Sequence, residues 1–181
     1  MFLHEYEAKK FFEQYGILVP RGVLVLKGEN AGQAYRTLGK WEVVCKAQTH
    51  DRGRFASGLI RFCSSEDDVL AATKDIWNQG VDAILVEEKL DVAEERYFSI
   101  VRDEESGQPI LQFGVKGGEM ERHVLDVRAD LDIPSAGFPH IPFAQAAWNL
   151  YRREKARTVE ADPLVKTRDG VWVAADARIE I

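Results

Sequence analysis

The stretch that most constrains the fold is the closing one, Val159-Glu160-Ala161-Asp162-Pro163-Leu164-Val165, then Lys166-Thr167-Arg168-Asp169-Gly170, then Val171-Trp172-Val173-Ala174-Ala175-Asp176. Two apolar runs of strand character flank a short Asp-Gly turn, the pattern of an antiparallel hairpin. If Arg168-Asp169-Gly170 is a three-residue loop with Gly170 in the left-handed bulge position, Thr167 pairs with Val171 and Asp162 falls opposite Asp176. Glu160 and Asp162 are two apart, so on an extended strand they leave the same face, and three carboxylates then share it. Like charges facing one another on a sheet repel. Two readings are open: a hairpin whose acids point to water, or a group held together by a hard divalent cation, for which magnesium is the natural candidate.

A chain of 181 residues can bury a substantial core and is most economically one domain or two small lobes. Its 45% hydrophobic and 30% charged residues describe an ordinary globular protein, and no apolar run reaches the length that crosses a bilayer. The opening Met1-Phe2-Leu3-His4-Glu5 has neither the basic nor the long apolar region of a signal peptide, so a cytoplasmic location is expected. Cys45 and Cys63 each lie in an apolar, strand-like run and read as reduced core residues rather than a disulfide or metal pair. A net charge of -6 argues against a general nucleic-acid binder and leaves room only for a local basic site.

Along the chain, Leu3, Tyr6, Phe11, Phe12 and Tyr15 fall at helical spacing, with Glu7, Lys9 and Lys10 between them, and Gly16 and Pro20 end that helix. A strand over Val23–Leu26, a helix from Ala31 to Leu38 and a strand from Glu42 to Ala47 follow. After a loop come a strand over Leu59–Cys63 and a helix capped by Ser64 or Ser65 that runs to Gly80. Ala83–Lys89, Arg96–Arg102 and Ile110–Lys116 then read as consecutive strands with hairpin turns, a predominantly antiparallel sheet. From Gly117 to Pro142 the pattern is weak and broken by Pro134 and Pro139, and reads as loops with at most one helical turn. Phe143, Ala146, Ala147, Leu150 and Tyr151 restore a helical stripe ahead of the hairpin.

Lys46 ends an apolar strand and is followed by a loop containing Arg52-Gly53-Arg54, an arrangement that can set an ammonium and backbone N–H groups against phosphate oxygens. It is not a GxxxxGK[ST] phosphate loop, because the lysine precedes the glycines. By itself it is more simply a strand end with a solvated basic loop. More of the chain points the same way. Leu3-His4-Glu5-Tyr6-Glu7-Ala8-Lys9 with Tyr15-Gly16-Ile17 and Pro20, Val43-Val44-Cys45-Lys46-Ala47-Gln48, Ile84-Leu85-Val86-Glu87, Glu95, Gly117-Gly118 and the closing run with Asp176 closely resemble the beta subunit of succinyl-CoA synthetase, in the family's order.

That resemblance implies an α+β, ATP-grasp fold, with two lobes of mixed or antiparallel sheet and helices and a nucleotide cleft between them, the lobes covering roughly residues 20–82 and 1–19 plus 83–181. It assigns Lys46 to the nucleotide phosphates, with Gly53 and Arg54 in the adjacent loop. Glu87 and its neighbours as far as Leu90 fall where the base edge meets the backbone, Glu95 where ribose or amide donors are accepted, and Asp162 and Asp176 at the magnesium ligands. ATP or GTP and Mg2+ are the implied cofactors. No side chain of this chain has to attack anything, since phosphoryl transfer is mostly positioning and electrostatics. The family usually carries asparagine where this chain has Asp162, and more glycine and a further lysine in the loop after Lys46. Segments near Gly80 and between Gly118 and Val159 are shortened, and the family's CoA-ligase domain is expected to be absent. His4, His50, His123 and His140 read as structural or solvated, and none matches the phosphohistidine that the family carries on its alpha subunit. The expected role is therefore a nucleotide-binding subunit of an acid–CoA ligase, working with an alpha-type CoA-binding subunit and a separately encoded CoA-ligase domain. A non-catalytic ATP-grasp-derived interaction or regulatory protein is the alternative.

Overall fold

The computed structural model describes residues 1–50, 53–115, 118–131, 138 and 140–181. It divides the chain into two units, Pro20–Leu90 and Met1–Val19 with Asp91–Ile181. Asp51 and Arg52 of the loop after Lys46, Gly117, Pro134 and Pro139 lie outside the described residues.

The first unit is built on a four-stranded antiparallel sheet. Its order is β1 (Gly22–Leu26), β4 (Ala83–Glu88), β2 (Val43–Ala47), β3 (Ile60–Cys63). Helices α2 (Ala31–Leu38) and α3 (Glu66–Asn78) cover one face, burying Val43, Cys45, Ala47, Ile84 and Val86. The helix ends follow local chemistry: Asn30 accepts from the Gly32 amide at 3.0 Å and Ser65 from Asp68 at 3.1 Å, while Gly39 ends α2 at φ 61°. The expectation that residues 83–89 belong with the later strands is corrected here. Ile84, Leu85, Val86 and Glu87 are buried in succession, the signature of a strand covered on both faces, and β4 accordingly takes a central place between β1 and β2. Cys45 and Cys63 are free, buried thiols with sulfurs 3.8 Å apart.

The second unit holds a six-stranded sheet whose described pairings are all antiparallel. Its order is β10 (Arg178–Glu180), β8 (Thr158–Thr167), β5 (Val92–Arg102), β6 (Pro109–Val115), β7 (Met120–Val124), with β9 (Trp172–Ala174) also on β8. Helices α1 (Glu5–Gln14) and α4 (Ile141–Arg153) pack on one face through Phe12, Phe143, Trp148 and Leu150, against Phe98, Leu111 and Val159 of the sheet. Phe98 meets Phe143 edge-on with centroids 4.9 Å apart. Two strands, β7 and β10, carry no strand signal in the sequence. β7 is an edge strand whose residues are mostly exposed, so it shows no alternation, and β10 is too short for a period.

The reading of α1 also changes. Its buried stripe is Glu5, Ala8, Lys9 and Phe12, so Lys9 lies on the packed face and not among the polar residues. Its ammonium is 2.8 Å from Glu5 and donates to the Ala175 carbonyl at 2.9 Å, which offsets the cost of burying it. Among the described residues no helix is long and apolar enough to cross a membrane.

Phe98→Ala removes a fully buried ring from the centre of this core. Urea denaturation followed by circular dichroism is expected to show a loss of about 3–5 kcal/mol.

Candidate functional site

Lys46 sits on the face of the four-stranded sheet opposite the helices. Val43, Cys45 and Ala47 point into the helical core, so Val44 and Lys46 point away from it. Lys46 pairs in register with Leu85, and Val44 with Glu87, which makes Lys46 and Glu87 diagonal neighbours. The ammonium is 2.8 Å from the Glu87 carboxylate, and the side chains are 11% and 2% exposed. Gly22 lies opposite Glu87 on β1, and a Cβ there would stand only 3.0 Å from the Glu87 Cγ. A glycine at this strand position therefore leaves room for the glutamate to lie across β1.

The loop beyond Lys46 folds back on the strand end. Arg54 donates to the Ala47 carbonyl at 3.0 Å, and the Ala47 and Leu59 amides donate at 2.9 Å and 2.8 Å to Leu59 and Arg54. Gly53 opens this turn at φ 77°, a conformation side chains disfavour. Leu90 is half-buried at the end of the first unit, and Glu95 is exposed on β5, opposite Val165.

The closing hairpin forms as the turn chemistry predicts. The Thr167 amide donates to Val171 at 2.8 Å, and Gly170 has φ 89°. The β8–β9 ladder ends at Leu164 with Ala174, and the β8–β10 ladder begins at Glu160 with Arg178. The step between the ladders is the same on both sides, so β9 and β10 keep one register with β8, in which Asp162 and Asp176 hold matching positions. Val159 and Ala161 are fully buried, which turns Glu160 and Asp162 to the other face. Two residues of β8, Asp162 and Pro163, then stand against one of β5, Tyr97, between the pairs Ala161–Phe98 and Leu164–Arg96, a bulge that contains the cis Asp162–Pro163 bond. Asp176 lies on the bend before β10, where its Oδ1 accepts from the Ala177 amide at 2.8 Å.

The expected group of three acids is not formed. Among the described residues no three or more His, Cys, Asp or Glu side chains converge to hold a metal ion. The Glu160 carboxylate instead accepts from the Tyr97 hydroxyl at 3.0 Å. Burial, together with the charges of Glu160 and Asp162, pushes the Tyr97 phenol up to about 12, against the opposing effect of a hydrogen bond with Ser99. Asp162 and Asp176 remain as two hard oxygen donors at one break in the sheet. That set suits magnesium, which takes one or two carboxylates and completes its shell with phosphate and water. Lys9 and Tyr97 were not singled out by the sequence. The available signal for Lys9 was a charged pair, Glu5 and Lys9, at i,i+4 on the stripe that also holds Ala8 and Phe12.

The family model described as an ATP-grasp domain matches residues 2–128. The chain is 33% identical to the succinate–CoA ligase [ADP-forming] subunit beta of Methanocaldococcus jannaschii, covering 100% of this chain and 57% of that one. It is 30% identical to the subunit of the same name from a Nitratiruptor species, over 99% and 55%. The chain thus spans about half the length of these curated relatives. Among solved structures, the dinucleotide forming acetyl-coenzyme A synthetase 1 of Ca. Korarchaeum cryptofilum, in complex with coenzyme A, Ca-AMPCP and HgCl+, superposes with a TM-score of 0.76 at 20% identity, over 99% of this chain and 93% of that one. The ATP citrate lyase of Methanothrix soehngenii, in complex with citrate and coenzyme A, gives 0.68 at 18% identity, over 98% and 50%.

Glu87→Ala leaves the buried Lys46 ammonium without this carboxylate. It is expected to cost about 3–5 kcal/mol in urea, with the double replacement Glu87→Leu/Lys46→Met costing less. The Tyr97 hydroxyl should stay protonated well above the ordinary tyrosine value of 10.0. Because its folded value is raised, its stabilising contribution is complete below the unfolded value and is lost as pH climbs through the window from 10.0 to about 12. Ultraviolet titration of phenolate absorbance should therefore lose a late component in Tyr97→Phe.

Proposed function

This chain belongs to the ATP-grasp family, and from that premise we propose that it is the nucleotide- and magnesium-binding part of an acid–CoA ligase resembling the succinate–CoA ligase beta subunit. The observation that carries the reading is the shared register that brings Asp162 and Asp176 opposite each other where the β8 ladders are interrupted. The paired ladders stop on either side of this break, and the two carboxylates are the oxygen donors we assign to a cation there.

Lys46 supplies a positive charge and N–H donors to nucleotide phosphate. Its Glu87 partner keeps the ammonium oriented on the sheet face opposite α2 and α3. Gly53 and Arg54 shape the loop that follows it, Arg54 by anchoring to Ala47. Glu87 through Leu90 serve the base, and Glu95 accepts from ribose or amide donors. Asp162 and Asp176 hold magnesium, and aspartate at 162 adds a full negative charge to the pair. The chemistry supplied by bound magnesium is neutralisation of phosphate charge during phosphoryl transfer. The phosphoryl group passes between ATP and a histidine of an alpha-type, CoA-binding partner subunit. None of this chain's residues forms a covalent intermediate.

Calorimetric titration with ATP in the presence and absence of Mg2+ tests the reading. Lys46→Met is expected to weaken ATP binding roughly 10- to 100-fold, the worth of a hydrogen bond to a charged group. No binding by the wild-type chain, with circular dichroism showing it folded, would sink the proposal and favour a non-catalytic role.

A further inference from the structure

Taking Asp176 as a metal carboxylate, as proposed above, the geometry points to Lys9 as the residue that positions it, through the carbonyl immediately before it. The opening segment of the chain and its closing hairpin meet in the second unit. The Leu3 amide donates to Ile179 at 3.0 Å, Lys9 to Ala175 at 2.9 Å, and the Ala174 amide to Leu18 at 2.9 Å. Residues 3–18 thus tie to the hairpin on both sides of Asp176, and Lys9 supplies the tie beside it.

The bend needs an external tie because the sheet gives it so few. β9 ends at Ala174 and β10 begins at Arg178. Between them the Ala175 amide donates to Pro163 at 3.1 Å, and the Ala177 amide is taken by Asp176's own carboxylate at 2.8 Å. A carboxylate on such a segment keeps a defined direction only if the backbone under it is held.

Packing alone does not call for a lysine at position 9. It is 4% exposed, on a helix face it shares with Ala8 and Phe12, where an apolar side chain of similar volume could be accommodated. What an ammonium adds is a directed N–H bond to a carbonyl, and Glu5 at 2.8 Å aims it. Groups behind a metal ligand that fix its orientation typically govern affinity without touching the ion.

The test compares ATP affinity with and without Mg2+, the ratio reporting metal coupling, in wild type and in Asp176→Asn, Lys9→Met, Lys9→Arg and the volume-conserving pair Glu5→Gln/Lys9→Met. Amide hydrogen exchange is followed over residues 175–177 and across the core. Asp176→Asn should abolish the coupling. Lys9→Met and the double variant should lower it roughly tenfold, speed exchange at Ala175 and leave metal-free ATP affinity unchanged, while Lys9→Arg retains most of the coupling. Full coupling in the double variant, alongside its loss in Asp176→Asn, overturns the role of Lys9. So does a loss of metal-free affinity with faster exchange throughout the core, which marks a merely structural lysine. Intact coupling in Asp176→Asn removes the metal reading itself, and the role of Lys9 with it.

Discussion

The second unit depends on how one strand, β8, is paired. Its ten residues face β5 along one side and, along the other, β10 and β9 in a single register. A strand interior with a fixed register normally leaves no backbone group unpaired and no room for acids. Here the paired ladders stop at Leu164 with Ala174 and resume in step at Glu160 with Arg178, the Ala175 amide still donating to Pro163 between them. A bulge on β8 restores the core-facing alternation, so that Ala161 and Leu164 are both fully buried although an odd number of steps separates them. The interruption falls where Asp162 and Asp176 hold matching positions in the register.

Each unit also buries a lysine against a glutamate at 2.8 Å, Lys46 with Glu87 and Lys9 with Glu5. Such pairs contribute little net stability, because desolvating two charges consumes most of their attraction. Their presence is better explained by what an ammonium can do that a methyl group cannot. Lys46 lies on the face of its sheet opposite α2 and α3, and Lys9 holds a carbonyl at the interrupted ladder. Gly22 belongs to the same design, since the absence of a side chain there is what lets Glu87 lie flat against β1.

Much of the local structure was legible. Helix α2 begins after Asn30 and stops at a left-handed Gly39, and the hairpin turn forms around Gly170, because capping and turn chemistry act over a few residues. Strand membership was less legible. Residues 83–88 stand next to later hairpins in the chain yet occupy the centre of the earlier sheet, a choice made by burial on two faces and not by sequence proximity. β7 is not legible in the sequence because an exposed edge strand such as Met-Glu-Arg-His-Val carries no alternation.

For the candidate site, the sequence by itself determined which residue types stand at which spacing. It placed a lysine near the end of β2, a glycine in the loop beyond and two aspartates in the closing hairpin, and it set the hairpin register, because turn length dictates register. Only the tertiary structure decided which charged groups take each other as partners. Glu160 is engaged by Tyr97 from β5, Lys46 by Glu87 from β4, and the bend that carries Asp176 by Lys9 from the opposite end of the chain. Those choices are made by contacts distant in sequence, where burial forces every charge to find a partner, and no local pattern encodes which one it will be.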